Sequence, residues 1–204
     1  ALKDSLLAAK AANAVRPKAL VFGNTSADMD SVIGAMAMSW HLSSLTQSKG
    51  LLYSPVVNCA RDELRLRIEI AHHLGRFQLD KEFLEKSVYF MDELLAKEGD
   101  AMLEVESVAL FDFNKLNPEF ERHGLPDKVH FVTDHHVDNE MYAGSIKRKQ
   151  IELIGSATTL VVQDLKADGF FEDPGQVEEL AQLSLFLAAP ILLDSYNFSE
   201  KLYQ

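Results

Sequence analysis

Apolar and polar positions along the chain divide it into alternating short and long blocks. Ala19-Leu-Val-Phe22 is apolar at every position, as a strand buried on both faces would be. A polar stretch, Gly23–Asp30, follows. Ser31–Ser48 then carries Val32, Ala35, Met36, Met38, Trp40, Leu42 and Leu45 at helical spacing and closes at Gly50. This succession of strand, polar loop and helix opens a βαβ unit. The same alternation predicts strands at Val56-Val57, Ser87–Phe90, Val105–Phe111 and Val129–Thr133, and an edge strand at Ile151–Ile154. It predicts helices over Leu2–Val15, Arg61–Leu74, Ser156–Lys166 and Gln176–Ala189, with a helical turn at Asp92–Lys97. Arg16-Pro17 ends the first helix, and Pro190 interrupts the last before Ile191-Leu-Leu-Asp194. Strands alternating with helices predict an α/β fold: a doubly wound, mostly parallel β-sheet with helices on both faces.

Composition narrows the function classes. The chain has 204 residues, 47% of them hydrophobic, enough for one full core over residues 1–204. A formal net charge of -11 argues against a nucleic-acid surface, which is normally basic. No apolar run approaches the ~18 residues of a membrane span, so no membrane partner is expected. Cys59 is the single cysteine, which rules out an intrachain disulfide and fits a reducing, cytoplasmic setting. Repeats, low-complexity tracts and Pro/Gly/Ser-rich linkers are absent from the sequence.

Candidate chemistry gathers at the ends of apolar runs. Val129–Thr133 stops at Asp134-His135-His136, and open parallel sheets place ligands at the carboxyl ends of their strands. The loop after Phe22 holds Asn24, Asp28 and Asp30. Asp112 follows Phe111, with Asn114 just after it, and Asp194 follows Leu193. Any one acid reads equally well as a helix cap or loop residue. Four segments each delivering Asp or His after an apolar run point instead to divalent cations, because carboxylates this close repel unless a cation joins them. Two cations ~3.5–4 Å apart hold a shared water, lower its pKa and polarise a phosphoryl oxygen. Other groups read as structural: His41 and His72-His73 within helices, Cys59 as a buried thiol, Lys147-Arg148-Lys149 as surface, and Arg61, Arg65 and Arg67 as a solvated helix face rather than a cleft lining.

Asn24-Thr-Ser-Ala-Asp28-Met-Asp30-Ser31, Phe111-Asp112-Phe-Asn114, Asp134-His135-His136, Gly155-Ser-Ala-Thr-Thr159 and Leu193-Asp194 resemble, in order and spacing, the successive motifs of the DHH phosphoesterase superfamily. The first motif is most similar to the exopolyphosphatase and prune branch. Family II pyrophosphatases carry His where this chain has Asn24. The resemblance implies that Asp28 binds a first metal, with Asn24 a weak or water-mediated ligand that also faces substrate. It implies that Asp30, His135 and Asp194 bind a second metal and that Asp112 bridges the two. His136 would donate to a substrate phosphate oxygen, and Asp134 would orient His135 or the local backbone. The cofactors implied are two divalent cations, Mg²⁺ or Mn²⁺ with Co²⁺ possible. Asn in place of His shifts the preference toward the harder Mg²⁺.

The implied activity is phosphoanhydride hydrolysis, releasing orthophosphate from inorganic polyphosphate. Pyrophosphatase or nucleotide phosphodiesterase action on the same centre is the alternative, as is a prune-like protein-interaction module. A nucleotide-binding domain without chemistry is a third reading. Family members continue into a C-terminal domain whose Lys and Arg grip the substrate phosphates. No stretch here resembles that domain, so the chain is expected to be the metal-binding domain alone and weakly active by itself.

Overall fold

The computed structural model describes residues 2–15, 17–96, 104–172 and 177–200. The expected boundaries at Arg16, Lys97 and Gln176 lie outside them. Among the described residues six strands form one sheet: β1 (Ala19–Phe22), β2 (Ser54–Val57), β3 (Tyr89–Phe90), β4 (Ser107–Phe111), β5 (Val129–Asp134) and β6 (Arg148–Ile151). Their spatial order is β3-β2-β1-β4-β5-β6, with every pairing parallel. The helices are α1 (Leu2–Ala12), α2 (Met29–Thr46), α3 (Arg61–Leu64), α4 (Ile68–Arg76), α5 (Lys81–Ser87), α6 (Met91–Leu95), α7 (Pro118–Glu121), α8 (Thr158–Ala167) and α9 (Val177–Asp194).

The uniform apolarity of β1 follows from its place. Ala19 and Val21 pack into one core with α2, while Leu20 and Phe22 pack into the other with Phe120 and Leu94. Helix α2 is apolar almost all round because it is enclosed between the sheet and α1, α8 and α9. It lies close to β4 because residue 34 is glycine. A Cβ there would stand 2.1 Å from the Phe111 ring. Phe111 is fully buried, worth about 1.5–3 kcal/mol for a side chain of this kind, and the residue after it is Asp112.

Several expected boundaries move. The helix expected over Arg61–Leu74 is two, α3 and α4, parted by a turn at residues 65–67. The edge strand lies at Arg148–Ile151, where its backbone pairs with β5, rather than at Ile151–Ile154. α5, α7 and a 3₁₀ turn at Leu125–Lys128 were not expected. α9 runs unbroken through Pro190, so Asp194 ends a helix and does not follow a separate apolar run.

Candidate metal centre

The strand order reverses direction between β1 and β4, and the crevice beyond their carboxyl ends is the expected ligand site of such a sheet. The loop after β1, the end of β4 and the end of β5 all open there. Asp112 is the pivot. Its backbone is left-handed, with φ 63°, which a non-glycine residue adopts at a cost of order 1–3 kcal/mol. Two bonds hold it so: its N–H donates to Thr133 O at 2.9 Å, and its carbonyl accepts from Asn24 Nδ2 at 2.9 Å. The carboxylate Oδ2 accepts from Ser31 Oγ at 2.5 Å. Oδ1 is buried with no directed donor. His135 Nε2 stands 3.1 Å from it, an ion pair when the ring is protonated.

The other acids surround this oxygen. Asp28 caps α2, with Oδ1 accepting from Ser31 N at 2.9 Å and Oδ2 from Ser26 Oγ at 2.8 Å. Asp30 is fully buried in the first turn of α2 and caps the start of α8. It accepts from Ser156 Oγ at 2.8 Å, Ala157 N at 2.7 Å and Thr158 N at 3.0 Å. Ligand-capable atoms of Asp30, His135 and Asp194 lie within 4.8 Å of one another, as do those of Asp112, His135 and His136. Asp28 belongs to neither group, although its charge acts on Asp112 and Asp194.

Electrostatics registers the crowding. Burial, then the charge and hydrogen bond of Asp30, then Asp28 and Asp112, carry the pKa of Asp194 up to about 8. Burial raises Asp112 against the lowering effect of His135. Burial alone would depress His135. The Asp112 carboxylate and the Ile154 carbonyl outweigh it and carry His135 up to about 9. Protons thus stand where cations could, shared among carboxylates that cannot all ionise together. The donor set, carboxylate oxygens with one or two imidazole nitrogens and a buried oxygen lacking a donor, fits a hard or borderline divalent cation.

Three side chains have partners that the sequence did not name. Asn24 does not extend a free side chain toward a cation. Nδ2 is bonded to the Asp112 carbonyl, and Oδ1 accepts from Ser26 N at 3.3 Å. Asp134 turns its Oδ1 back onto the N–H groups of His135 and His136 and accepts from His136 Nδ1 at 2.8 Å. It therefore orients the His136 ring, while His135 is oriented by Nδ1 on Ile154 O at 2.9 Å. Arg67 is partly exposed yet tied down: Nε donates to Ser26 O at 3.0 Å, on the loop that holds Asp28.

Asn114 was noted only for its position, and the structure gives it a function. It donates to Asp134 Oδ2 and Val137 O, and Oδ1 accepts from the backbone and side chain of Asn139. Its sequence signals were its place two residues after Asp112 and its membership of the Phe111-Asp112-Phe-Asn114 motif, and neither named its partners. Among groups read as structural, buried His41 pairs with Asp168 at 2.6 Å, an acid remote in sequence.

No family model matches the chain. It is 29% identical over 190 residues to exopolyphosphatase PRUNE1 of Rattus norvegicus, covering 92% of this chain and 38% of the relative. To exopolyphosphatase PRUNE1 of Homo sapiens it is 28% identical over 192 residues, with the same shares covered. The chain thus spans about two fifths of the length of these relatives. Its fold is similar to the crystal structure of an exopolyphosphatase-related protein from Bacteroides fragilis, with a TM-score of 0.58 at 16% identity over 97% of this chain and 52% of that one. With its motifs in order on an all-parallel sheet, the chain is thus similar in sequence to proteins named exopolyphosphatase PRUNE1 and similar in fold to an exopolyphosphatase-related protein.

Proposed function

We propose that the chain is the metal-binding domain of a phosphoanhydride hydrolase acting on inorganic polyphosphate and releasing orthophosphate from its end. The observation that carries this reading is the buried Oδ1 of Asp112, with only His135 and His136 nitrogens facing it among the described residues, at the centre of the acidic cluster. A second support is that relatives matched over nine tenths of the chain are named exopolyphosphatases.

In this reading Asp30, His135 and Asp194 would hold one cation, Asp28 would hold a second, and Asp112 would serve both. Two divalent cations, Mg²⁺ or Mn²⁺, would supply an activated water and a polarised phosphoryl oxygen. The residues themselves do the rest. With Nδ1 on the Ile154 carbonyl, His135 presents Nε2 to the cluster. Asp134 fixes the His136 ring, whose exposed edge is free to meet a phosphate oxygen. Such an oriented group contributes by positioning and by offsetting charge on the transferring phosphoryl. Basic side chains from a second domain close the site over the substrate in this proposal.

The test is orthophosphate release by the full-length protein from polyphosphate and pyrophosphate, with Mg²⁺, Mn²⁺ or Co²⁺. Release from polyphosphate that stops with EDTA is expected. No release with any of the three metals rejects the reading.

A further inference from the structure

α9 contains a proline one turn before its end. Proline has no N–H, so the carbonyl four residues earlier, Phe186 O, loses its helical donor. A buried carbonyl left unpaired costs about 1–3 kcal/mol, and Phe186 is 1% exposed. Where helices kink by more than about 20°, the site is most often a proline.

The missing donor comes from another element. His73 of α4 places Nε2 2.9 Å from Phe186 O. A carbonyl only accepts, so Nε2 carries the proton. The imidazole stacks on the Phe186 ring, centroids 5.6 Å apart at 22°, and Phe77 packs edge-on against both. His73 is buried, and burial holds its pKa below the ordinary histidine value, so the ring stays neutral in its bond. The contact lies away from the acidic cluster, yet α9 connects them. Asp194 stands four residues beyond Pro190 and delivers its carboxylate to Asp30 and His135. Four residues rise about 6 Å, so a swing of about 20° shifts the helix end by about 2 Å. Ligand distances tolerate only about 0.2 Å.

We infer that His73 is a positioning residue for Asp194: it donates the hydrogen bond that Pro190 cannot, and so fixes the angle at which the last turn of α9 meets the acidic cluster. The inference rests on the proposed reading of Asp194 as a cation ligand. The device is specific to a proline at position 190, because any other residue would carry its own N–H to Phe186 O.

The experiment is Mn²⁺ titration calorimetry on the full-length protein and its variants D194N, H73F, P190A and H73F/P190A. Wild type is expected to bind two ions and D194N to lose one. H73F keeps an aromatic ring and removes the donor. It should weaken that same ion by about tenfold or more and leave the other within about twofold. H73F/P190A should return close to wild type, because an alanine in place of the proline supplies the backbone N–H for the bond. H73F binding both ions as wild type does, or H73F/P190A staying as weak as H73F, overturns the inference alone. D194N retaining both ions overturns the metal reading of Asp194 and the inference with it. Should H73F not fold, P190A and H73F/P190A carry the test. Equal affinities uphold the inference, and about tenfold weaker binding in the double variant overturns it.

Discussion

The two ends of the sheet bury comparable polar groups and treat them in opposite ways. At the amino ends Tyr53 OH donates to Ser107 Oγ at 2.7 Å, and Ser107 Oγ lies 2.9 Å from His130 Nδ1. Nearby, Asn13 donates to Ala9 O, Leu52 O and Ser54 Oγ and accepts from Lys18 N and Ala19 N. Burial raises the Tyr53 pKa and lowers that of His130, so both groups are neutral. At the carboxyl ends stand Asp28, Asp30, Asp112, Asp134 and Asp194, with a left-handed backbone at Asp112 and a buried oxygen without a donor. The amino end is a closed network that ties strands together. The carboxyl end holds an excess of negative charge that the fold alone does not neutralise. The closed network and the unneutralised acids thus lie at opposite ends of the same strands, and each end should respond to mutation without the other.

The largest effect should come from removing the pivot. Asp112→Asn takes away the buried carboxylate and the charge facing both sets of ligands. Phosphate release should fall by more than the 10–100-fold or so that loss of a supporting partner costs. The metal-free protein should become more stable, by about 2–4 °C in Tm for each kcal/mol of repulsion relieved. Calorimetry in EDTA checks the second point. A lower Tm in the variant would mean that the cluster is already balanced in the fold, and the contrast between the two ends would fail.

pH should move the carboxyl end next most strongly. Asp194 binds its proton more tightly folded than unfolded, with pKa up to about 8 against an ordinary value of ~3.9. The stability it contributes is complete at low pH and lost as pH rises through that window. His135, up to about 9 from ~6.5, acts in the same direction and loses its contribution as pH passes about 9. Metal-free protein should therefore melt at lower temperature as pH rises from 5 to 9. Saturating Mn²⁺ should shrink or reverse that slope, since cations replace the protons and bind more tightly at higher pH. Thermal melts across pH with EDTA and with Mn²⁺ decide it. Parallel slopes would show that the protons and the cations do not compete for the same groups.

Asn114→Ala sharpens the comparison within the site. It leaves Asp134 short of one donor and frees the segment around Asn139, while Asp30, Asp112, His135 and Asp194 are untouched. Turnover on polyphosphate should drop about tenfold through a looser His136, the low end of the cost of losing a supporting partner. Mn²⁺ affinity should stay near wild type. A large loss of affinity instead would make Asn114 a support of the cation ligands.

The strands and most of their terminal acids were legible because a parallel sheet buried on both faces writes itself as uninterrupted apolar runs, and the polar residue ending each run stands out. Asp194 was legible by position but not by structure. Pro190 reads as a helix break in any single sequence, and the donor that cancels the break, His73, lies more than a hundred residues away. The same distance hid the roles of Asn24, Arg67 and Asn114, whose partners sit on other elements. The split between α3 and α4 was illegible for another reason: Leu64, Ile68 and Ala71 keep helical spacing across a turn. Asp30 shows a limit of a further kind. Its place before a helix suggested a cap for that helix, whereas it caps α8, beginning 128 residues later.

The smallest effect is expected at the amino end. Tyr53→Phe keeps the ring in the core and removes the hydroxyl that donates to Ser107. Ser107 Oγ retains His130 as a partner, so the vacated position leaves one weakened bond rather than an isolated polar atom. The cost should be about 0.5–1.5 kcal/mol, the net value of a neutral hydrogen bond. Metal affinity and phosphate release should not change, because Tyr53 precedes β2 while the acids lie beyond the opposite ends of β1, β4 and β5. Denaturant melts read the first quantity, and Mn²⁺ titration with an orthophosphate assay reads the second. A variant that lost little stability but several-fold in metal affinity would show that the two ends communicate through the strands, and the separation drawn between them would have to be abandoned.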